Sequence, residues 1–326
     1  MTDETGILHH SNKAIPDMSK GYSTVDNARA LIMAVMLFDQ THSERFENLI
    51  FKYVSFLSGA QNNDGTFRNS MGYDHEYLEE KGTEECIGRC IWALCYTFAD
   101  QNTPQYIKDA AWVMIDKALM HCMKLKSSRA IAYVIIGLRY LDQEKTNGYI
   151  SKLAALLVDH YIHYKETNWH WFEDRLTCCN AALPWALLAA FNVTKEARYL
   201  KVGLESLLFL DSKLFTKDYF KPIGKNGLFY MQNAAAQVDE QPVEACEAAS
   251  AYIEAFLLTN NDEFIDKAKN CFYWYLGRNS KSRTLLDPES GGCHDGIGTD
   301  DILNPNQGAE SIISFWLAYL AIKRYL

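Results

Sequence analysis

Only 7 prolines and 18 glycines are spread over 326 residues, and no Pro-, Gly- or Ser-rich tract, charge block or low-complexity run divides them. No linker between separate domains is written into such a chain, so one large domain is expected. Basic residues are outnumbered, 32 Lys and Arg against 41 Asp and Glu, for a formal net charge of −9. That balance excludes nucleic acid and anionic membranes as general partners, because phosphate binding leans on Lys and Arg. No apolar run approaches the roughly 20 residues of a membrane span. The stretch from Met1 to Tyr22 is polar and mixed in charge, without the apolar centre of a signal peptide, and a cytoplasmic location is expected. There is no P-loop pattern, no Gly-rich dinucleotide fingerprint, no HExxH and no nucleophile elbow, and neither a cofactor nor a metal is expected. His294 and Asp295 stand near other acids, but no spacing there compels a metal site. Nine cysteines is an odd number; Cys86, Cys90 and Cys95 are spaced for helix packing, not as a metal clamp, and Cys178 and Cys179 are adjacent. They read as reduced, small apolar core residues.

What the chain has instead is helix. Residues 24–40 are apolar on nearly every side after Asp26, which reads as a cap, whereas 45–60 carry Arg45, Glu47 and Lys52 among the apolar positions. A helix apolar all round is buried and one with a charged stripe faces water, so the two read as an inner helix and its outer partner. The contrast recurs. Inner helices are expected from Thr83, Ser127, near Asn180, from Asp239 and from about Asn306; outer ones over 104–122, 147–164, 195–210 and 262–277. Asp239 reads as an N-cap, with Pro242 in a first turn where its missing N–H costs nothing. No stretch reads convincingly as a strand. Hairpins repeating every 45–65 residues or so must close or stack to bury their faces. The long acid- and aromatic-rich loops all precede inner helices and so share one rim. The expected fold is all-α, a closed (α/α)6 toroid with six inner and about five outer helices, over 24–326 after an N-terminal segment, 1–23.

Parallel inner helices bring their N-termini to one depression, and each supplies unsatisfied N–H groups and a positive dipole end. Delivered there are Asp26 and Arg29; Glu84, Glu85 and Arg89; Ser127, Ser128 and Arg129; Asn180; Asp239, Glu240 and Glu244; Asn306, Gln307 and Glu310. The loops add Tyr73, Asp74, His75, Trp169, His170, Trp171, Asp174, Phe229, Tyr230, His294 and Asp295. Acids, amides and arginines interleaved with rings suit a polyol: rings stack on sugar faces and polar groups bond the hydroxyls. Taken singly, each has an ordinary alternative. Asp26, Asp239 and Ser127 serve equally as caps, the arginines as internal ion pairs, the histidines as turn residues, and Trp169 and Trp171 as core cover. The functional case rests on their co-location.

As a set, these stretches resemble the six-hairpin glycosidase superfamily, and within it a bacterial group encoded beside, or fused to, glycosyltransferases and mannoside phosphorylases. The resemblance is carried by Asn62–Asn69 with Tyr73-Asp74, Glu84-Glu85 with Gly88-Arg89, Ser128-Arg129-Ala130, and Trp171–Thr177 with Asn180-Ala181. It continues through Asp239 with Gln241–Ala245, Phe272–Asn279, Gly291–Gly296 and Asn306–Ser311. It implies an intracellular, carbohydrate-handling toroid with a functional link to a glycosyltransferase. Two positions depart from that group. Its second helix start reads Glu-Asp-Ser-His-Gly-Arg, against Glu84-Glu85-Cys86-Ile87-Gly88-Arg89 here, and Ala182 stands where the fourth has arginine. Roles of the missing histidine and arginine do not carry over.

The expected activity is glycoside hydrolysis by paired carboxylates on a short, mannose-containing glycan. Carboxylates at helix N-termini favour the ionised form, which casts Asp239 as the base. Glu85, Glu240 and Asp295 are the candidate acids. Trp171, Tyr73 and Tyr230 would stack on the sugar, and Arg89, Arg129, Asn180 and Gln307 would fix hydroxyls, with Asp74, Glu310, His170 and His294 also in contact. Two alternatives stand beside it: a non-catalytic glycan-binding partner of a glycosyltransferase, and a sugar epimerase or isomerase in which His170 and His294 move protons.

Overall fold

A computed structural model describes residues 1–217, 219–223, 239–298 and 302–326, and the backbone of 229–230. Among these residues eleven α-helices alternate between two kinds of surface. Every residue of α5 (Ser128–Leu138) is buried, as its apolar sequence demands. In α4 (Gln105–Cys122), Ile107, Ala111, Met114, Ile115, Ala118 and Cys122 are buried at three- and four-residue steps, the signature of a helix with one wet face. The expected inner helices are α1 (Thr24–Thr41), α3 (Glu84–Ala99), α5, α7 (Ala182–Thr194), α9 (Pro242–Thr259) and α11 (Ala309–Ile322). The outer ones are α2 (Glu44–Ala60), α4, α6 (Gln143–Tyr164), α8 (Ala197–Leu214) and α10 (Asp262–Tyr275).

The chain groups into two compact units, Met1–Leu153 and Ala154–Leu326, with the boundary inside α6 and not in a linker. In the first, α3 packs between α1 and α5, and α2 and α4 lie against α1 and α3. In the second, α9 packs between α7 and α11, with α8 on α7 and α10 on α9. Glycines allow the closest approach. A Cβ on Gly137 would stand 2.7 Å from Trp92 Cα, and one on Gly88 would stand 2.7 Å from the Ala130 carbonyl oxygen, so α3 and α5 meet backbone to backbone.

Among the described residues, extended structure comprises six two-residue strands in three antiparallel pairs, with isolated bridges besides. β1 (Ser11–Asn12) pairs with β2 (Ile15–Pro16). β3 (Tyr22–Ser23) pairs with β4 (Ser70–Met71), Tyr22 opposite Met71. β5 (Arg175–Leu176) pairs with β6 (Phe229–Tyr230). Residues 1–23 do not stand apart from the helices. Asn27 of α1 accepts the Ile7 N–H (3.0 Å) and donates to the Ile7 carbonyl (3.3 Å), and Leu8 bridges to Tyr22.

Two expected caps are corrected. Ser23, not Asp26, caps α1, its Oγ accepting the Asp26 N–H. Gln241, not Asp239, stands at the N-cap of α9 and makes no side-chain cap bond; Pro242 does open the helix. Ser127 caps α5 as expected, accepting the Ala130 N–H. Two glycines make opposite predictions. Gly137→Val must push α3 from α5 and should cost about 1–3 kcal/mol. Gly148, in mid-α6 with nothing within 4 Å of an added Cβ, should gain roughly 0.5–1 kcal/mol on substitution by alanine. Thermal unfolding of the two variants, with shifts of opposite sign, checks the packing.

Candidate active site

Hydrogen bonds between successive inner-helix starts place them side by side within each unit. In the first, Asn69 joins two of them: its carbonyl accepts the Thr24 N–H at the head of α1 (2.8 Å), and its Oδ1 accepts the Thr83 N–H at the head of α3 (3.0 Å). Glu84 then reaches from α3 to the approach to α5, where one carboxylate oxygen accepts the N–H groups of Lys126 and Ser127, both at 2.7 Å. The second unit repeats the device. Glu244 in the first turn of α9 accepts the Cys179 N–H, just ahead of α7. Asp295 Oδ1 accepts the Gly308 N–H and the Ser311 hydroxyl at the start of α11, both at 2.6 Å. Two residues on, Ile297 exchanges backbone hydrogen bonds with Glu240 ahead of α9. Helix starts need acceptors, and here carboxylates and an amide from neighbouring starts and connecting loops supply them.

Charge is buried at these same places. Among the described residues the buried charged side chains are Asp26, Arg29, Arg89, Arg129, Glu240, Glu244, Glu247 and Glu254. All but Glu254 lie within two turns of the start of α1, α3, α5 or α9. Burying a charge costs several kcal/mol unless it is paired, so acids and arginines collected at the same helix starts can offset one another there. The Arg89 guanidinium lies over the Tyr133 ring at 4.1 Å, and that ring stacks on Trp92. Asn180 is wholly buried, bonded through both amide atoms to the Thr177 backbone.

The carboxylates expected to do chemistry occupy different surroundings. Asp295 is spent on the α11 start. Glu240 is 2% exposed and accepts the Trp274 indole N–H at 2.6 Å. Burial pushes its carboxyl above the ordinary range, against hydrogen bonds from Ser280 and Trp274 that pull it down. Glu85, the second residue of α3, is half-buried and has no hydrogen-bond or ion-pair partner among the described residues. Asp239 is half-buried and accepts the Gln241 side-chain N–H at 2.7 Å. Gln307 is fixed between Ser290 and Asp287, and hydrogen bonds donated to Asp287 by the Ser290 hydroxyl and by Gln307 hold its carboxyl down at about 2. Glu310 lies half-buried in the first turn of α11.

Several aromatic and histidine candidates lie elsewhere. Trp171 is fully buried among Phe172 and Phe209, so it is core and not a stacking platform. His170 stands against outer helices, 3.3 Å from the Tyr161 hydroxyl on α6 and beside Phe209 on α8. His294 is half-buried, and its Nδ1 has no partner among the described residues. Tyr73 is 46% exposed and stacks on Tyr22, and Asp74 serves its own exposed turn by accepting the Glu76 N–H. Arg129 is buried in the first turn of α5. The side chains of Phe229 and Tyr230 lie outside the described residues. Sequence reasoning missed Glu247, three residues after Glu244 and so on the same face of α9, a spacing that was there to be read. It also missed His9, whose ring meets Asp26 across 17 residues of chain. No cluster of three or more metal-ligating side chains forms among the described residues, and no described helix is long and apolar enough to cross a membrane.

No family profile matches the chain, and no curated protein matches it in sequence. Its structure is similar to that of a sugar epimerase from a ruminal bacterium, with TM-score 0.76 and 12% identity over 99% of this chain and 94% of that one. The cellobiose 2-epimerase from Bacillus thermoamylovorans gives 0.74 and 12% over 98% and 92%. The α-1,6-mannanase from Salegentibacter sp. gives 0.70 and 13% over 100% and 95%. The fold is therefore an (α/α)6 toroid, as the hairpin repeat implied.

Glu240 makes a prediction that separates framework from chemistry. Its folded-state pKa lies above the ordinary 4.5, so folding is favoured while the carboxyl keeps its proton. That contribution is complete below the unfolded pKa and is lost as pH rises through the folded one. Glu240→Gln removes the titration and can still accept from Trp274. Its stability relative to wild type should rise as pH climbs above the ordinary carboxylate range and converge with it in acid. Unfolding midpoints across that range test the sign.

Proposed function

From the six-hairpin fold and the charge buried at its helix starts, we propose that the chain is a carbohydrate-active enzyme hydrolysing a short, mannose-containing glycan. The buried charges carry the reading: acids, arginines and an amide are held around helix starts where a packed core would use leucine. Neighbours of the same fold supply the substrate class, since all three named above act on sugars by their descriptions. Asp239, beside the α9 start, is the general base of this reading. Glu240 holds α10 through its indole bond and Asp295 holds α11. Nine free cysteines support a reducing, cytoplasmic setting. The link to a glycosyltransferase rests on the sequence resemblance alone.

A second reading, a sugar epimerase or isomerase, is favoured by the two epimerases among those neighbours. Incubation with mannosides, glucosides and free sugars separates the two: hydrolysis releases reducing ends, epimerisation converts free sugar, and binding alone does neither. Asp239→Asn should lower hydrolysis on the order of 10²–10⁴-fold with binding retained, the range of general acid–base catalysis. Glu85→Gln is assayed in parallel, and Glu240→Gln should keep its turnover. Full activity in Asp239→Asn would remove that residue as base.

A further inference from the structure

The outward face of α4 carries a line of exposed apolar side chains. Tyr106, Val113 and Met120 are 55%, 53% and 61% exposed. They stand seven positions apart, so they fall on one line that runs roughly 21 Å along the helix. On α2 the large exposed hydrophobic is Phe51, on α8 it is Leu208, and on α6 Tyr149 and Ile162 lie thirteen positions apart. Single exposed residues of that kind are ordinary, and a repeated line is not. Phe51 widens the line, its ring 6.4 Å from that of Tyr106, whereas Trp112 turns aside to Phe98 at 5.2 Å.

The charges beside this line make it its own complement. Asp109 and Lys117, both exposed, stand four positions before and after Val113 and so on opposite flanks of the line. Neither has an oppositely charged residue three or four positions away on α4. They are about 12 Å apart along the axis, too far to pair with each other in one helix. A second α4 turned end for end about Val113 brings Lys117 opposite Asp109, Tyr106 opposite Met120, and Val113 opposite itself. Asp116 then meets Ala110, and no like charges face each other. An end-for-end match is what a two-fold contact between identical chains requires, and a foreign partner would not demand it.

We infer that the exposed face of α4 is a homodimer contact, in which two copies of this chain lay their α4 helices antiparallel across a two-fold axis at Val113. The Tyr106 ring of each copy packs on the Met120 thioether of the other, and two Asp109–Lys117 pairs flank the axis and fix the register.

Light scattering and sedimentation of the full chain over a range of concentrations test the contact. Wild type should be a dimer. Val113→Arg sets two like charges on the axis and should weaken association on the order of 100-fold, with the circular dichroism of the fold unchanged. Asp109→Lys and Lys117→Glu should each weaken it about 10-fold at low salt. Mixed in equal amounts, those two variants should form a heterodimer as tight as the wild-type dimer, because each supplies the charge the other lacks. A wild type that stays monomeric overturns the inference. So does a dimer that Val113→Arg leaves intact, which places the contact on another face, and so do two charge variants that fail to recover on mixing.

Discussion

The backbone N–H groups at the start of a buried helix must find acceptors, and this chain finds them on neighbouring helix starts and on the loops between helices. Asn69, Glu84, Glu244 and Asp295 each spend a side-chain oxygen on an N–H at or just ahead of another inner helix. A hydrogen bond to a charged acceptor contributes roughly 1.5–3 kcal/mol, and an unsatisfied buried N–H costs a comparable amount. Each staple therefore orders two helices at once. The apolar faces decide that the helices are buried, and the staples decide which ends lie together.

The same constraint explains why polar chemistry collects where it does. Once carboxylates are needed at helix starts, neighbouring arginines, amides and acids can be buried at lower cost, in the field of the helix ends and within reach of partners. Residue type then says little about role. Glu84 and Glu85 are consecutive, yet the first is fully engaged by backbone N–H groups and the second has no described partner. Asp239 and Glu240 are consecutive too: one is half-buried beside Gln241, and the other is buried against an indole with its carboxyl pushed up. Environment, and not residue type, separates each acid from its neighbour in the chain.

Much of the fold was legible along the chain. Inner and outer helices announce themselves by the contrast between all-round and one-sided apolarity, and the starts at Thr83, Ser127 and Pro242 follow local capping and proline chemistry. Local rules failed where two residues satisfy one rule. Ser23 and Asp26 both suit a cap, and only the conformation of Ser23 settles it; Asp239 lost its cap assignment because the chain stays extended through Gln241. Trp171 and His170 misled because alternating rings look the same in a cleft lining as in a core.

Sequence alone determined the helical repeat, the order of inner and outer helices and the polar character of the inner starts, since these depend on residues a few positions apart. Tertiary structure alone decided which oxygen meets which N–H, that Glu240 faces Trp274, and that a histidine in the N-terminal segment meets Asp26. Those pairings span 17 to 65 residues. Hydrogen bonds and burial act through space, so no periodicity or spacing in the chain encodes them.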